Sequence, residues 1–145
     1  MLAANVEAKD YSIKSADFKV IINPDGSADI TETRTYSFDG SYSWADEWIN
    51  LVPKCTKCSN YRITNFELWE GAQKYIESNL SSVGNFALTN DGKKFYIKWY
   101  YRANFENKTF TLKYKIENTI TVQVGGGGKE WQAATESAWV CGRMF

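Results

Sequence analysis

The clearest pattern along the chain is an alternation of apolar and polar residues with a period of two. Between Thr109 and Val124 every even-numbered position except Asn118 is apolar, and the odd positions carry Thr, Lys, Glu or Gln. This alternation predicts a half-buried antiparallel strand, or two strands that share a phase around Asn118. The residues that it places in the core are Phe110, Leu112, Tyr114 and Ile116.

The same period recurs in two earlier segments. One strand follows the turn Asn90–Gly92, and its inward residues are Phe95, Ile97, Trp99 and Tyr101. The other segment is a hairpin from about Asp17 to Asp39. Its turn contains Pro24, which fixes φ, and Gly26, which permits a positive φ.

Together these segments predict an all-β fold. Ile63–Trp69 adds a strand, and only Gly71–Asn79 has helical character, over too few residues to form a layer. Several strands separated by turn residues favour an antiparallel β-sandwich, with an immunoglobulin-like arrangement as the leading topology. The length suits a single domain, residues 1–145. Residues 10–124 would form the main sandwich, and residues 125–145 a glycine-rich connection with a last strand or an irregular tail.

The composition excludes several classes of function. The chain has no His, which removes the commonest general base and the commonest zinc ligand. Its 17 Lys and Arg balance 17 Asp and Glu, whereas a nucleic-acid-binding domain normally has a large basic excess. We therefore expect no catalytic residues, no metal or other cofactor and no nucleic-acid partner. No uncharged apolar run approaches the roughly 18 residues that a membrane span needs, so the chain as given is expected to be soluble.

The cysteines allow more than one interpretation. Cys55 and Cys58 have the spacing of redox motifs, but that reactivity needs a helix N-terminus, and nothing after Cys58 predicts a helix. A zinc site needs four ligands, and only Cys141 remains. A local disulfide between Cys55 and Cys58, or two inert thiols, is the favoured interpretation. Under oxidising conditions we expect the disulfide, with Cys141 unpaired.

Two further groups of residues could form a site. Glu32 and Arg34 share the strand phase of Ile30, so both should point inward unless a bulge intervenes. Such a pair is either structural or part of a site. Trp44 and Trp48, in the loop-like segment Ser41–Asn50, are expected to be exposed, whereas Trp99 belongs to the core.

The sharpest hypothesis concerns the face opposite the core. From Lys93 to Lys115 the chain has seven bases and one acid. If the two strands of this region pair as a hairpin, their outward residues form one aromatic and basic surface. The ligand-binding residues that it predicts are Tyr96, Lys98, Tyr100, Arg102, Lys113 and Lys115. This surface suits an anionic envelope glycan, a membrane surface or an acidic protein partner. An ordinary solvated strand face is the alternative.

Three segments carry a resemblance to a known family. Residues 18–41, 95–103 and 109–121 resemble, in order and spacing, the extracytoplasmic domain of a bacterial predicted membrane protein family, domain of unknown function 2207. The resemblance implies a signal peptide, this β-rich ectodomain at the cell surface, and then transmembrane helices and a cytoplasmic portion. It implies no activity and no catalytic residues. The sequence departs from the family pattern at Lys54–Cys58 and at Gly125–Gly128.

These observations lead to one expected function and two alternatives. We expect a non-enzymatic, extracytoplasmic binding or sensing module of a larger membrane-anchored protein. The first alternative is an envelope glycan hydrolase that uses two carboxylates, a mechanism that does not need His. The second is a purely structural spacer.

Overall fold

The computed structural model describes residues 9–54, 56–121 and 139–140. These residues form strands, turns and irregular segments, and none of them is helical. The strands are β1 (Asp10–Ile22), β2 (Ala28–Asp39), β3 (Ser41–Asn50), β4 (Arg62–Glu70), β5 (Gln73–Lys74), β6 (Ile76–Glu77), β7 (Asn85–Asn90), β8 (Lys94–Asn104), β9 (Asn107–Glu117), β10 (Ile120–Thr121) and β11 (Trp139–Val140). Within these ranges there is accordingly no helix of the length and apolarity that crossing a membrane requires.

Two sheets pack face to face. The larger sheet has the order β1-β2-β9-β4-β5, and the smaller has the order β3-β8-β7-β6. Neighbouring strands are antiparallel except for the short parallel pair β6 and β7. A separate antiparallel pair joins β10 to β11. The predicted all-β antiparallel sandwich is confirmed, and the immunoglobulin-like arrangement stays a prediction.

The core lies between the two sheets and has the residues that the alternation placed there. Phe110, Leu112, Tyr114 and Ile116 of β9 are buried, as are Ile97 and Trp99 of β8. Aromatic rings from the two sheets pack against each other in this core. The ring centroids of Tyr101 and Phe110 are 5.0 Å apart, and those of Trp99 and Phe110 are 5.7 Å apart.

The predicted hairpin is present, but its first strand is more exposed than the alternation suggested. Phe18 and Ile22 of β1 are 37% and 52% exposed. The reason is position, because β1 is the edge strand of the larger sheet and pairs with β2 alone among the described strands. The segment Gly71–Asn79 forms β5, β6 and their turns instead of a helical turn.

Two short connections carry the chain from one sheet to the other. Gly40, with φ of 114°, joins β2 to β3, and Phe105 and Glu106 join β8 to β9. The connections lie side by side, because the Phe105 N–H donates to the Gly40 carbonyl at 3.2 Å. Strands β8 and β9 therefore belong to different sheets, so the condition that they pair as a hairpin is not met. Short bends of this kind are how strands switch sheets in a sandwich.

Local irregularities set which side chains face outward. A bulge between Tyr42 and Trp44 shifts the phase of β3, so that Trp44 and Trp48 point outward while Glu47 points inward. The expectation of a loop at Ser41–Asn50 is wrong for the same reason. Asn118, with φ of 65°, separates β9 from β10, which confirms the two-strand alternative there. Val122 and Val124 lie outside the described residues.

Candidate functional site

The outward face of the smaller sheet has a concentration of aromatic and basic side chains. Strand β3 contributes two tryptophans, and β8 contributes bases alternating with tyrosines. We call this surface the aromatic-basic face. Its residues are Trp44, Trp48, Lys94, Tyr96, Lys98, Tyr100 and Arg102. In the ladder between the strands Trp44 is opposite Tyr100, and Trp48 is opposite Tyr96.

Each tryptophan of this face lies under a lysine from the neighbouring strand. The Lys98 Nζ is 4.3 Å from the ring centroid of Trp44, and the Lys94 Nζ is 4.3 Å from that of Trp48. The two indoles are nevertheless 49% and 55% exposed. A cation–π contact at an exposed site contributes about 0.5–1 kcal/mol, so a ligand could displace or share these ammonium groups at small cost.

One acidic residue, Asp46, lies beside the residues of this face and orders them. The Tyr96 hydroxyl donates to Asp46 Oδ2 at 2.6 Å, and this hydrogen bond raises the pKa of Tyr96 to about 12. The tyrosine therefore stays protonated and keeps the carboxylate engaged. Asp46 is also opposite Lys98 in the ladder. The three bases Lys94, Lys98 and Arg102 outnumber the one acid, so this surface has a net positive charge.

Two of the six predicted ligand-binding residues lie elsewhere. Lys113 and Lys115 are on β9, so they face outward from the larger sheet, on the opposite side of the sandwich. The Lys113 Nζ is 5.3 Å from the Trp69 ring centroid, and the Lys115 Nζ is 3.9 Å from Asp29 Oδ1. The prediction of one surface for all six residues is therefore wrong, since it depended on pairing between β8 and β9.

The structure keeps the other four together and adds the tryptophans. Tyr96, Lys98, Tyr100 and Arg102 share the outward side of β8, as predicted from their phase. The expected exposure of Trp44 and Trp48 is confirmed. Their placement beside β8 was missed, although the alternation of Trp44, Asp46 and Trp48 with Ala45 and Glu47 is a strand signal that could have revealed it.

A buried ion cluster joins the two sheets. Arg34 of β2 donates from Nη1 and Nη2 to the Glu47 carboxylate of β3, at 3.1 and 2.9 Å. Arg34 Nη2 also contacts Glu32 Oε1, and Glu32 is 1% exposed. The inward orientation predicted for Glu32 and Arg34 is thus confirmed. The third member, Glu47, does not follow from the sequence, because the prediction for Ser41–Asn50 is a loop-like segment and not a strand.

The ion cluster has one more carboxylate than it has cations. Burial raises the pKa of Glu32 to about 7, repulsion from Glu47 adds to this, and Arg34 partly opposes it. Burial also raises the pKa of Glu47. The guanidinium is in contact with both carboxylates, so each acid is engaged by the cation. This arrangement is typical of a structural ion cluster.

The cysteine motif is only partly described. Cys58 is disulfide-bonded. Cys55 and Cys141 lie outside the described residues, so the pairing of Cys55 with Cys58 stays a prediction. No group of three or more His, Cys, Asp or Glu side chains in the described part of the chain is placed to hold a metal ion.

Comparison with known proteins identifies the family. A family model described as "Predicted membrane protein (DUF2207) N-terminal domain" matches residues 12–140. No curated protein and no solved structure matches the chain. The match includes all of β2 to β11 and the sheet that bears the aromatic-basic face. The chain therefore belongs to this family of predicted membrane proteins and represents its N-terminal domain.

Proposed function

We propose that this domain is a non-enzymatic binding module on the outer side of a membrane, and that its aromatic-basic face holds an anionic glycan. The observation that carries the proposal is the pair of exposed indoles, Trp44 and Trp48, each with a lysine ammonium 4.3 Å from its ring centroid. The sugar rings and the acidic groups of such a ligand each have a binding partner on this face. A sugar ring stacks on an aromatic surface, and its carboxylate or sulfate pairs with the neighbouring ammonium group.

The spacing of the tryptophans favours a polymer over a small anion. Trp44 and Trp48 are four residues apart on one strand, which corresponds to about 13 Å at the usual rise per residue. Tyr96 and Tyr100 repeat this spacing on β8. An extended chain of sugar rings could contact both ends of the face, whereas a single small anion could contact only one.

Two observations support a location outside the cytoplasm. The family consists of predicted membrane proteins, and this domain is N-terminal in them. Cys58 is disulfide-bonded, and disulfides persist mainly in oxidising compartments such as the cell surface. An envelope polymer would be within reach of a domain in that position.

The other candidate partners and functions have less support. A bilayer surface favours protruding apolar side chains, but here Asp46 and two tyrosine hydroxyls lie among the rings. A glycan hydrolase would need two carboxylates facing a cleft. The buried Glu32 and the half-buried Glu47 are instead both in contact with Arg34.

The proposal can be tested with hyaluronan, an anionic glycan, by isothermal titration calorimetry. Dextran serves as an uncharged glycan and polyglutamate as an anion without sugar rings. We expect binding to hyaluronan that weakens as salt rises, because exposed charges are screened beyond about 8 Å at physiological ionic strength. The double variant Lys98→Glu and Arg102→Glu should weaken it at least about tenfold, or about 1.4 kcal/mol.

The opposite sheet provides a matched control. The double variant Lys113→Glu and Lys115→Glu makes the same change of charge on the other side of the sandwich. It should leave hyaluronan binding within about twofold of the unmodified protein, apart from a weak long-range effect of net charge. Equal loss in both double variants would refute a localised site. Binding to polyglutamate or to phosphatidylserine vesicles in preference to hyaluronan would assign the face to an acidic protein or to a membrane.

A further inference from the structure

A pocket opens at the corner where β2 turns into β3, and we propose that it binds the neutral sugar ring at the end of the glycan chain. The pocket has a volume of about 410 Å³ and lies between the first residues of β1, the last residues of β2 and the first half of β3. This inference rests on the proposed function. It assigns a second subsite to the same ligand.

Aromatic rings form the walls of this corner pocket. Tyr11, Phe38 and Tyr42 surround the opening, with ring centroids 6.1 Å apart for Tyr11 and Tyr42 and 4.9 Å apart for Phe38 and Tyr42. Tyr101 and Phe110, each 1% exposed, also line the pocket and belong to the core. A ligand therefore enters the pocket from its solvent side, as the end of a polymer can.

The polar groups of the pocket suit a neutral ring. Its charged lining residues are one base, Lys9, and one acid, Asp46, so their charges balance, unlike those of the aromatic-basic face. Ser41 and Ser43 add hydroxyl groups. Aromatic walls with a few hydrogen-bonding groups match a sugar ring, which stacks through its C–H faces and donates and accepts through its hydroxyls. The volume lies at the lower end of the range for small-molecule sites, about 300–1,000 Å³.

The pocket and the aromatic-basic face are continuous. Trp44 and Asp46 line the pocket, and the same two residues contact or pair with Lys98 and Tyr96 on the face. The bulge between Tyr42 and Trp44 makes this possible, because it turns Tyr42 inward and Trp44 outward. A glycan lying across the face would reach the pocket over Trp44.

The experiment compares a hyaluronan hexasaccharide with long hyaluronan on the full chain. Every hexasaccharide offers a neutral N-acetylhexosamine ring at its reducing end, whereas long hyaluronan offers mainly internal rings. Borohydride reduction opens that terminal ring and leaves the carboxylates unchanged. We expect reduction to weaken hexasaccharide binding at least tenfold and to leave binding of long hyaluronan unchanged.

Two variants test the pocket itself. Ala45→Leu places a larger side chain in the pocket from β3 and partly fills it. Tyr11→Ala removes an exposed aromatic ring from the pocket wall. If one variant fails to fold, the other still tests the pocket. Each should weaken hexasaccharide binding at least tenfold, and neither should respond further to reduction of the terminal ring. Unchanged hexasaccharide binding in both variants would overturn the pocket assignment, as would unchanged binding after borohydride reduction.

Failure of the pocket and failure of the proposed function have different signatures. Long hyaluronan that binds with the expected dependence on Lys98 and Arg102, combined with no effect of the pocket variants, would refute the pocket alone. A hexasaccharide that binds in the pocket without any binding of long hyaluronan would refute the proposed function of the face. Absence of binding to both ligands would refute both proposals.

Discussion

The ion cluster makes the stability of the domain depend on pH, and Glu32→Gln should remove the part of that dependence that comes from Glu32. The fold raises the pKa of Glu32 from its ordinary value of 4.5 to about 7, chiefly through burial. A carboxyl whose pKa is higher in the folded state favours folding while it is protonated. Its stabilising contribution is therefore complete below about pH 4.5 and is lost as the pH rises through about 7.

The size of the effect follows from the same shift. One pKa unit corresponds to about 1.36 kcal/mol, so the change from 4.5 to about 7 corresponds to a loss of about 3 kcal/mol in the free energy of unfolding. Glu32→Gln keeps the shape of the side chain and leaves Arg34 paired with Glu47 alone. We expect the variant to gain about 3 kcal/mol relative to the unmodified protein between pH 4.5 and pH 7.5.

Urea unfolding at a series of pH values measures this difference, with the fluorescence of the buried Trp99 among the signals. Glu77→Gln, at an exposed position of β6, is the control and should give a curve parallel to that of the unmodified protein. The reasoning would be refuted if the curves of Glu32→Gln and the unmodified protein also ran parallel. The unmodified protein could instead become more stable, relative to Glu32→Gln, between pH 4.5 and pH 7.5. That result would show that attraction to Arg34 lowers the pKa of Glu32 by more than burial raises it.

Three more predictions concern the same core and the cysteines. Arg34→Met leaves the buried Glu32 and the half-buried Glu47 without their cation, so it should cost about 3–5 kcal/mol at pH 7.5 and less at pH 4.5 in the same urea experiment. Leu112→Ala, at a core position that is 2% exposed, should cost about 2–5 kcal/mol, and an unchanged denaturant midpoint would contradict its place in the core. Alkylation followed by mass spectrometry of the oxidised protein should find Cys55 and Cys58 protected and Cys141 modified. Alkylation of Cys55 with Cys58 and Cys141 both protected would show instead that Cys58 pairs with Cys141, and stoichiometric zinc in the purified protein would contradict the disulfide prediction.

The sequence predicted the strands that have one face in the core and the other face in solvent. Strands β8 and β9 each bury one face in the core, so their alternation reported burial directly, from Phe95 to Tyr101 and from Phe110 to Ile116. Strand β1 does not follow this rule, because at the sheet edge its apolar residues other than Val20 remain exposed. Strand β3 was missed because the bulge after Tyr42 breaks its alternation and large tryptophans occupy its outward positions.

The partners of the strands could not be predicted in the same way. A period of two shows which side chains share a face, but it does not show which strand lies alongside. The connection at Phe105 and Glu106 has the length of a hairpin turn, yet it crosses to the other sheet. The candidate site followed from this difference, since β8 pairs with β3 and its tryptophans and not with β9 and its lysines. The contact of Arg34 with Glu47 likewise depends on how the two sheets pack.

The pairing of β2 with β9 has a consequence for how the domain folds. The side chains of Thr35 and Thr109 are hydrogen-bonded although they are 74 positions apart in the chain, and those of Thr33 and Thr111 are 78 positions apart. The centre of the larger sheet therefore cannot form until most of the chain has been synthesised. Proteins dominated by such non-local pairing fold slowly, typically in milliseconds to seconds. The first half of a nascent chain of this kind would therefore wait for β9 before the larger sheet is complete.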